Sequence, residues 1–93
     1  APMPTARGGA AAGVVEGKII VVGGEGNAAA GNGVFPQAEM YDPVLDSWSS
    51  LPDMPFPRHG MGAAGIDKTL FVPGGASKQG FGATATSERY RFD

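Results

Sequence analysis

The sequence contains no cysteine, one histidine and one tryptophan. Without thiols there is no disulfide, no thiolate metal site and no cysteine nucleophile. A metal centre usually needs several imidazoles or carboxylates converging, and a single histidine does not supply them. No catalytic group, metal or cofactor is therefore expected. No apolar run approaches the roughly 18 residues of a membrane span, and no charged-then-apolar leader opens the chain. The seven Lys and Arg residues are scattered singly, without the basic stripe that nucleic acid requires. Helix is also missing from the pattern, since no segment carries an apolar stripe at i, i+3, i+4 and i+7. Large aliphatic and aromatic side chains are scarce: Leu, Ile, Val and Phe number 18 of 93 residues, against 14 Ala. That is near the lower limit for a self-sufficient core.

What the chain has in excess is turn-forming residue, 16 Gly and 8 Pro. A net charge of −2 excludes disorder driven by self-repulsion, which needs low hydrophobicity and high net charge together. An ordered chain short of core residues suits one piece of a repeat array, in which neighbouring units complete each other's burial.

The chain repeats itself. At a shift of 51, Met3-Pro4 falls on Met54-Pro55, Arg7 on Arg58, Gly9 on Gly60, Val21 on Val72 and Gly23-Gly24 on Gly74-Gly75. After the glycine pairs a shift of 49 places Glu39 on Glu88 and Tyr41 on Tyr90. A two-residue length change in the intervening Gly/Ala/Ser-rich loop accounts for the difference. Common Gly and Ala pair by chance, but Arg, Met-Pro, Gly-Gly and Glu-x-Tyr do not recur by chance in one order.

Each copy carries strand signals. Residues 10–15 and 61–66 are small apolar runs flanked by Gly, expected to be fully buried. Residues 18–22 and 69–72 are β-branched and aromatic runs ended by Gly-Gly, and 38–42 and 87–92 alternate. Residues 46–51 carry Trp48 and Leu51. Glu16-Gly17 and Asp67-Lys68 are placed as hairpin turns. Four short strands per roughly fifty residues is the count of a propeller blade.

These residues resemble the kelch repeat. The first copy offers Arg7, an apolar strand, the run 18–22 ended by Gly23-Gly24, then Glu39, Tyr41 and, seven residues on, Trp48. The second offers Arg58-His59-Gly60, Leu70-Phe71-Val72-Pro73-Gly74-Gly75 and Glu88-Arg89-Tyr90. The resemblance covers essentially the whole chain and implies an all-β fold, two blades of antiparallel strands from a larger ring of roughly six or seven. Residues 1–5 read as the tail of an earlier outer strand, 6–52 as the first blade and 53–93 as the second. The second ends three residues after Tyr90, so it lacks its outer strand. Two blades leave long edges, and other blades, from the parent chain or further copies, are the expected partners. Gly23, Gly24, Gly74 and Gly75 are expected to let backbone turn and blades approach closely, and Tyr41 and Trp48 to pack between blades, with Glu39, Glu88 and Tyr90 as further positions of the motif.

The same resemblance places Arg7 and Arg58 where the innermost strand begins, at the mouth of a central channel, where guanidinium groups suit acidic peptide segments. The alternative is that they pair with local carbonyls or with Glu39 and Glu88. His59 is carried beside Arg58 as a binding candidate, although its ordinary reading is structural. Phe35 and Phe81 sit in the long loops 25–37 and 76–86, either as loop anchors or as contacts on a binding face. The expectation is a binding scaffold for a protein or glycan and not an enzyme. Two alternatives are a piece of a galactose-oxidase-like copper enzyme, whose ligands would lie in other blades, and an assembly fragment with no ligand. The likeness of 58–82 to bacterial kelch chains leans towards an exported protein.

Overall fold

A computed structural model describes residues 1–80 and 82–92. They form two antiparallel sheets. The first holds β1 (Ala11–Val15), β2 (Lys18–Val22), β3 (Ala38–Asp42) and β4 (Ser47–Leu51), in that spatial order. The second holds β5 (Ala64–Ile66), β6 (Thr69–Pro73) and β7 (Ser87–Arg91), again in chain order. No helix occurs among the described residues. The turn between β1 and β2 has positive φ at both central residues, 51° at Glu16 and 75° at Gly17, the twist that a two-residue hairpin needs. At the turn into β4, the Asp42 carboxylate accepts from the amides of Val44 and Leu45.

The sheets meet face to face. One side of the first sheet offers Ala11, Val15, Ile20, Val22 and Ala38, and the second sheet answers with Leu70 and Val72, all in one buried cluster with Met54 and Met61. Burial alternates in β6 and over the second half of β2, as a pleated strand requires, but the phase reverses between copies. Ile19 and Leu70 occupy the same place in the repeat, yet Ile19 is 37% exposed and Leu70 is 0% exposed. Each blade therefore uses opposite faces towards its two neighbours, and the described residues fill only one side of each. The runs 10–15 and 61–66, expected to be fully buried, are buried on one side or less. Val14 is exposed in β1 and all three residues of β5 are exposed. The second run is also shorter than expected, because Met61 turns into the core against the backbone of Gly75 and the side of Gly23.

The aromatics divide in the same way. Tyr90, in β7, lies between the sheets and joins the core. Tyr41 and Trp48, expected between blades, stand half-buried on the outward face of the first sheet, ring centroids 5.1 Å apart. There the Tyr41 hydroxyl bonds Asp46 and the Trp48 indole bonds the carbonyl of Ala1. They pair because the β3–β4 register sets Trp48 directly opposite Tyr41.

Burial, then the nearby Glu88 carboxylate, push the Tyr90 phenol up to about 12. A raised acid pKa means the neutral form is held in the fold. Its stabilising contribution is complete below pH of about 10, the unfolded value, and is lost as pH rises through about 12. Tyr90→Phe is expected to flatten the fall in stability over that window. Urea midpoints at pH 9, 10 and 11 check it, and an identical alkaline fall in the variant would refute it.

Candidate functional site

The two arginines occupy matching clamps. The Arg7 guanidinium donates through Nη1 to the carbonyls of Gly23 (2.9 Å) and Gln37 (2.7 Å), and through Nη2 to Glu39 (2.6 Å). Arg58 donates to the carbonyls of Gly74 (2.5 Å) and Thr86 (3.0 Å) and to Glu88 (2.5 Å). The acceptors are the same positions of the repeat, including the change of shift from 51 to 49 across the loop. Each clamp ties the approach to the blade's first strand to the end of its second strand and the start of its third. A planar, five-donor fork suits a site of several backbone carbonyls and one carboxylate. Both side chains are buried, at 0% and 1% exposure. Burial lowers the Arg7 pKa and the paired Glu39 carboxylate opposes that shift. The clamps differ at Nε: that of Arg58 donates to Phe56 O at 3.1 Å, whereas that of Arg7 is buried without a partner. Apart from Arg7 Nε, the donors described are engaged by carbonyls and a carboxylate inside the blade.

The glycine pairs serve the junction between blades. Gly24 N donates to Arg58 O at 2.9 Å. Gly23, at φ 70°, would place a Cβ 2.3 Å from that same carbonyl. Only glycine meets both conditions, the left-handed backbone and the close approach. At the matching Gly74 the nearest atom to such a Cβ is 4.0 Å away, since no blade among the described residues lies on that side.

His59 is buried and bridges the two blades. Its Nε2 lies 2.8 Å from Lys78 O, and its Nδ1 lies 3.3 Å from a carboxylate oxygen of Glu25. The other Glu25 oxygen accepts from Gly80 N at 3.1 Å. Sequence reasoning missed Glu25. The signal available was a departure from the repeat, because Glu25 stands where the second copy has Ala76, and His59 where the first has Gly8. Neither residue of this contact has a counterpart in the other copy. No group of three or more His, Asp or Glu side chains converges among the described residues.

The long loops follow from the same anchors. Gly8, Glu25 and Val34 bridge in series, as do His59, Ala76 and Ala83. Asn27 closes the first loop by donating to Val34 O at 2.9 Å. Gln79 N donates to Asn32 O at 2.7 Å, joining the two loops. Their exposed tips flank an open cleft of about 750 Å³ that includes Asn27, Asn32, Lys78 and Gln79. Phe35 is half-buried, its amide held by Gly24 O. Phe81 lies outside the described residues.

A four-stranded and a three-stranded antiparallel sheet, stacked face to face with a diglycine at their junction and each with its innermost strand clamped by arginine, are blades of a β-propeller. The family profile described as Kelch motif matches residues 6–55, and the chain belongs to the kelch-repeat family. It is 34% identical over 90 residues to the Kelch-like protein terF of Aspergillus terreus, covering 97% of this chain and 20% of that protein. It is 35% identical over 75 residues to Beta-scruin of Limulus polyphemus, covering 81% of this chain and 8% of that protein. An F-box/kelch-repeat protein of Arabidopsis thaliana is 50% identical over 44 residues, 47% of this chain and 11% of that protein. The chain thus spans a fifth or less of the length of these relatives.

Proposed function

We propose that the chain is a binding scaffold, part of a propeller completed by further blades, and that it offers the joined tips of loops 25–37 and 76–86 to a protein partner. The observation that carries this reading is the contrast between the buried anchors and the exposed tips. Arg7, Arg58 and His59 are occupied in fixing the loop bases, whereas Asn32, Lys78 and Gln79 stand exposed on a rim held in one geometry. Rigid presentation of polar groups lowers the ordering entropy of binding. The reading moves the contact from the arginines to the loops they support. The catalytic alternative gains no residue here, since both ring nitrogens of His59 face oxygen atoms of the scaffold.

A photo-reactive residue placed at Asn32 or Gln79 of the full-length protein is expected to cross-link one protein from the source cells. The same residue at Val44, on the turn before β4, is expected to leave that protein unlabelled. Lys78→Glu should then weaken that partner roughly tenfold or more. No cross-link from the loops, or equal labelling from Val44, would overturn the reading. A cross-linked species removed by glycosidase and resistant to protease would make the ligand a glycan.

A further inference from the structure

His59 is held between two groups that can only accept a hydrogen bond. Its Nε2 lies 2.8 Å from the carbonyl oxygen of Lys78, and its Nδ1 lies 3.3 Å from a carboxylate oxygen of Glu25. A neutral imidazole has one N–H and one lone pair; only the imidazolium donates from both nitrogens. The Lys78 carbonyl keeps a proton on Nε2 in either state. In the neutral ring the Nδ1 lone pair would face a carboxylate oxygen, a repulsive contact, whereas in the imidazolium the same contact is an ion pair. The ring is 8% exposed and the Glu25 side chain 33%, so it is the carboxylate that can turn to water when the pair fails. The Glu25 backbone stays in place, because its N–H donates to Gly8 O at 2.7 Å and its carbonyl accepts from Gly8 N at 3.1 Å.

The second Glu25 oxygen accepts from Gly80 N at 3.1 Å. One residue earlier, Gln79 N makes the joint to Asn32 O across the two loops. The charged groups on the elements packed around the ring are Arg7, Arg58, Lys78 and Glu25. The two arginines are paired with Glu39 and Glu88. Lys78 meets the ring through its carbonyl and lays its side chain along Gly82. Glu25 is thus the group that answers a charge on the imidazole. We infer that protonation of His59 locks loop 76–86 onto loop 25–37. An imidazole changes its charge between about pH 5 and 8. At the acid end of that range the ion pair holds the Glu25 carboxylate under Gly80 N, and the joint beside it is rigid. As pH rises the ring gives up its Nδ1 proton, the carboxylate turns out, Gly80 N loses its acceptor and the joint loosens. The lock belongs to the loops whether or not their tips are the contact surface proposed above, so either can fail without the other.

Amide exchange of the full-length protein tests it, with each rate referred to an unstructured chain at the same pH. Protection of the Gly80 amide is expected to fall roughly tenfold or more between about pH 5.5 and 8, while that of Ile20 in β2 stays unchanged. Glu25→Gln supplies an amide that donates to a neutral Nδ1 while its oxygen still accepts from Gly80 N. That variant should keep Gly80 protected at both pH values, which a merely space-filling Glu25 would not produce. Nitrogen NMR of the ring, its signal assigned by its loss in His59→Gln, should find the remaining proton on Nε2 at the higher pH. Equal protection of Gly80 at both pH values in the parent would overturn the inference. So would the same fall in Glu25→Gln, a neutral ring protonated on Nδ1, or an equal fall at Ile20, which would trace the change to the whole blade. The parent comparison involves no substitution, so a variant that fails to fold leaves the test intact.

Discussion

Replacing Arg58 by methionine is expected to lower the unfolding free energy by about 3–5 kcal/mol, the range for removing one partner of a buried ion pair. Total stability for a chain this size is on the order of 5–14 kcal/mol, so much of the population would be unfolded in mild denaturant. The reason lies in what is left behind. Arg58 satisfies the carbonyls of Phe56, Val72, Gly74 and Thr86 and the nearly buried carboxylate of Glu88. Methionine fills similar space and donates nothing, so Gly74 O and the Glu88 carboxylate lose the guanidinium inside the fold, whereas Thr86 O keeps its bond from Gly74 N. Arg58→Lys keeps the charge but loses the fork, and should cost about 2 kcal/mol. Glu88→Gln in the methionine background should restore part of the loss, since the unpaired charge is then gone. Urea unfolding followed by Trp48 fluorescence reads all three. A methionine variant within about 1 kcal/mol of the parent would show that the clamp is not what holds the blade.

Gly65→Val is expected to separate the blades. A Cβ on Gly65 would sit 1.8 Å from the carbonyl oxygen of Val14 and 3.2 Å from a methyl of Val15. The obstacle is backbone, which no rotamer change relieves. Val14 also shares a hairpin with the buried strand β2, so the first blade cannot yield without disturbing its own pairing. The second blade must move away, exposing Leu70 and Val72, which are 0% exposed. Overpacking costs 1–3 kcal/mol where side chains adjust; against fixed backbone a loss of about 3 kcal/mol or more is expected. Gly62→Val is the control, because its Cβ would meet nothing within 4 Å. The check is the urea midpoint of both variants, with the slope as a measure of exposed surface. Equal midpoints would show that the junction is looser than the structure has it.

Much of the blade was legible in the sequence. The bounds of β2 and β3 coincide with the runs 18–22 and 38–42, because β-branched and alternating residues between glycine and turn signals leave few alternatives. The repeat also carried the clamp in outline, since Arg7 with Glu39 and Arg58 with Glu88 recur together. What the repeat could not carry was anything unique to one junction. Glu25 and His59 meet because the second blade folds over the first, and neither has a counterpart in the other copy. The close approach at Gly65 was hidden for the same reason: its place in the first copy is held by Val14, so the repeat gave no hint that glycine is obligatory there.

By itself the sequence determined that the chain is built of β-strands, four in one copy and three in the next, without thiol chemistry and with a glycine pair closing each second strand. Only the tertiary structure decided which face of each strand is interior. Ile20 and Val22 face inward in the first blade, and Leu70 and Val72, offset from them by one residue in the repeat, do so in the second. The physical reason is that a strand apolar on both sides satisfies either phase, and the packing of one blade on the next selects between them.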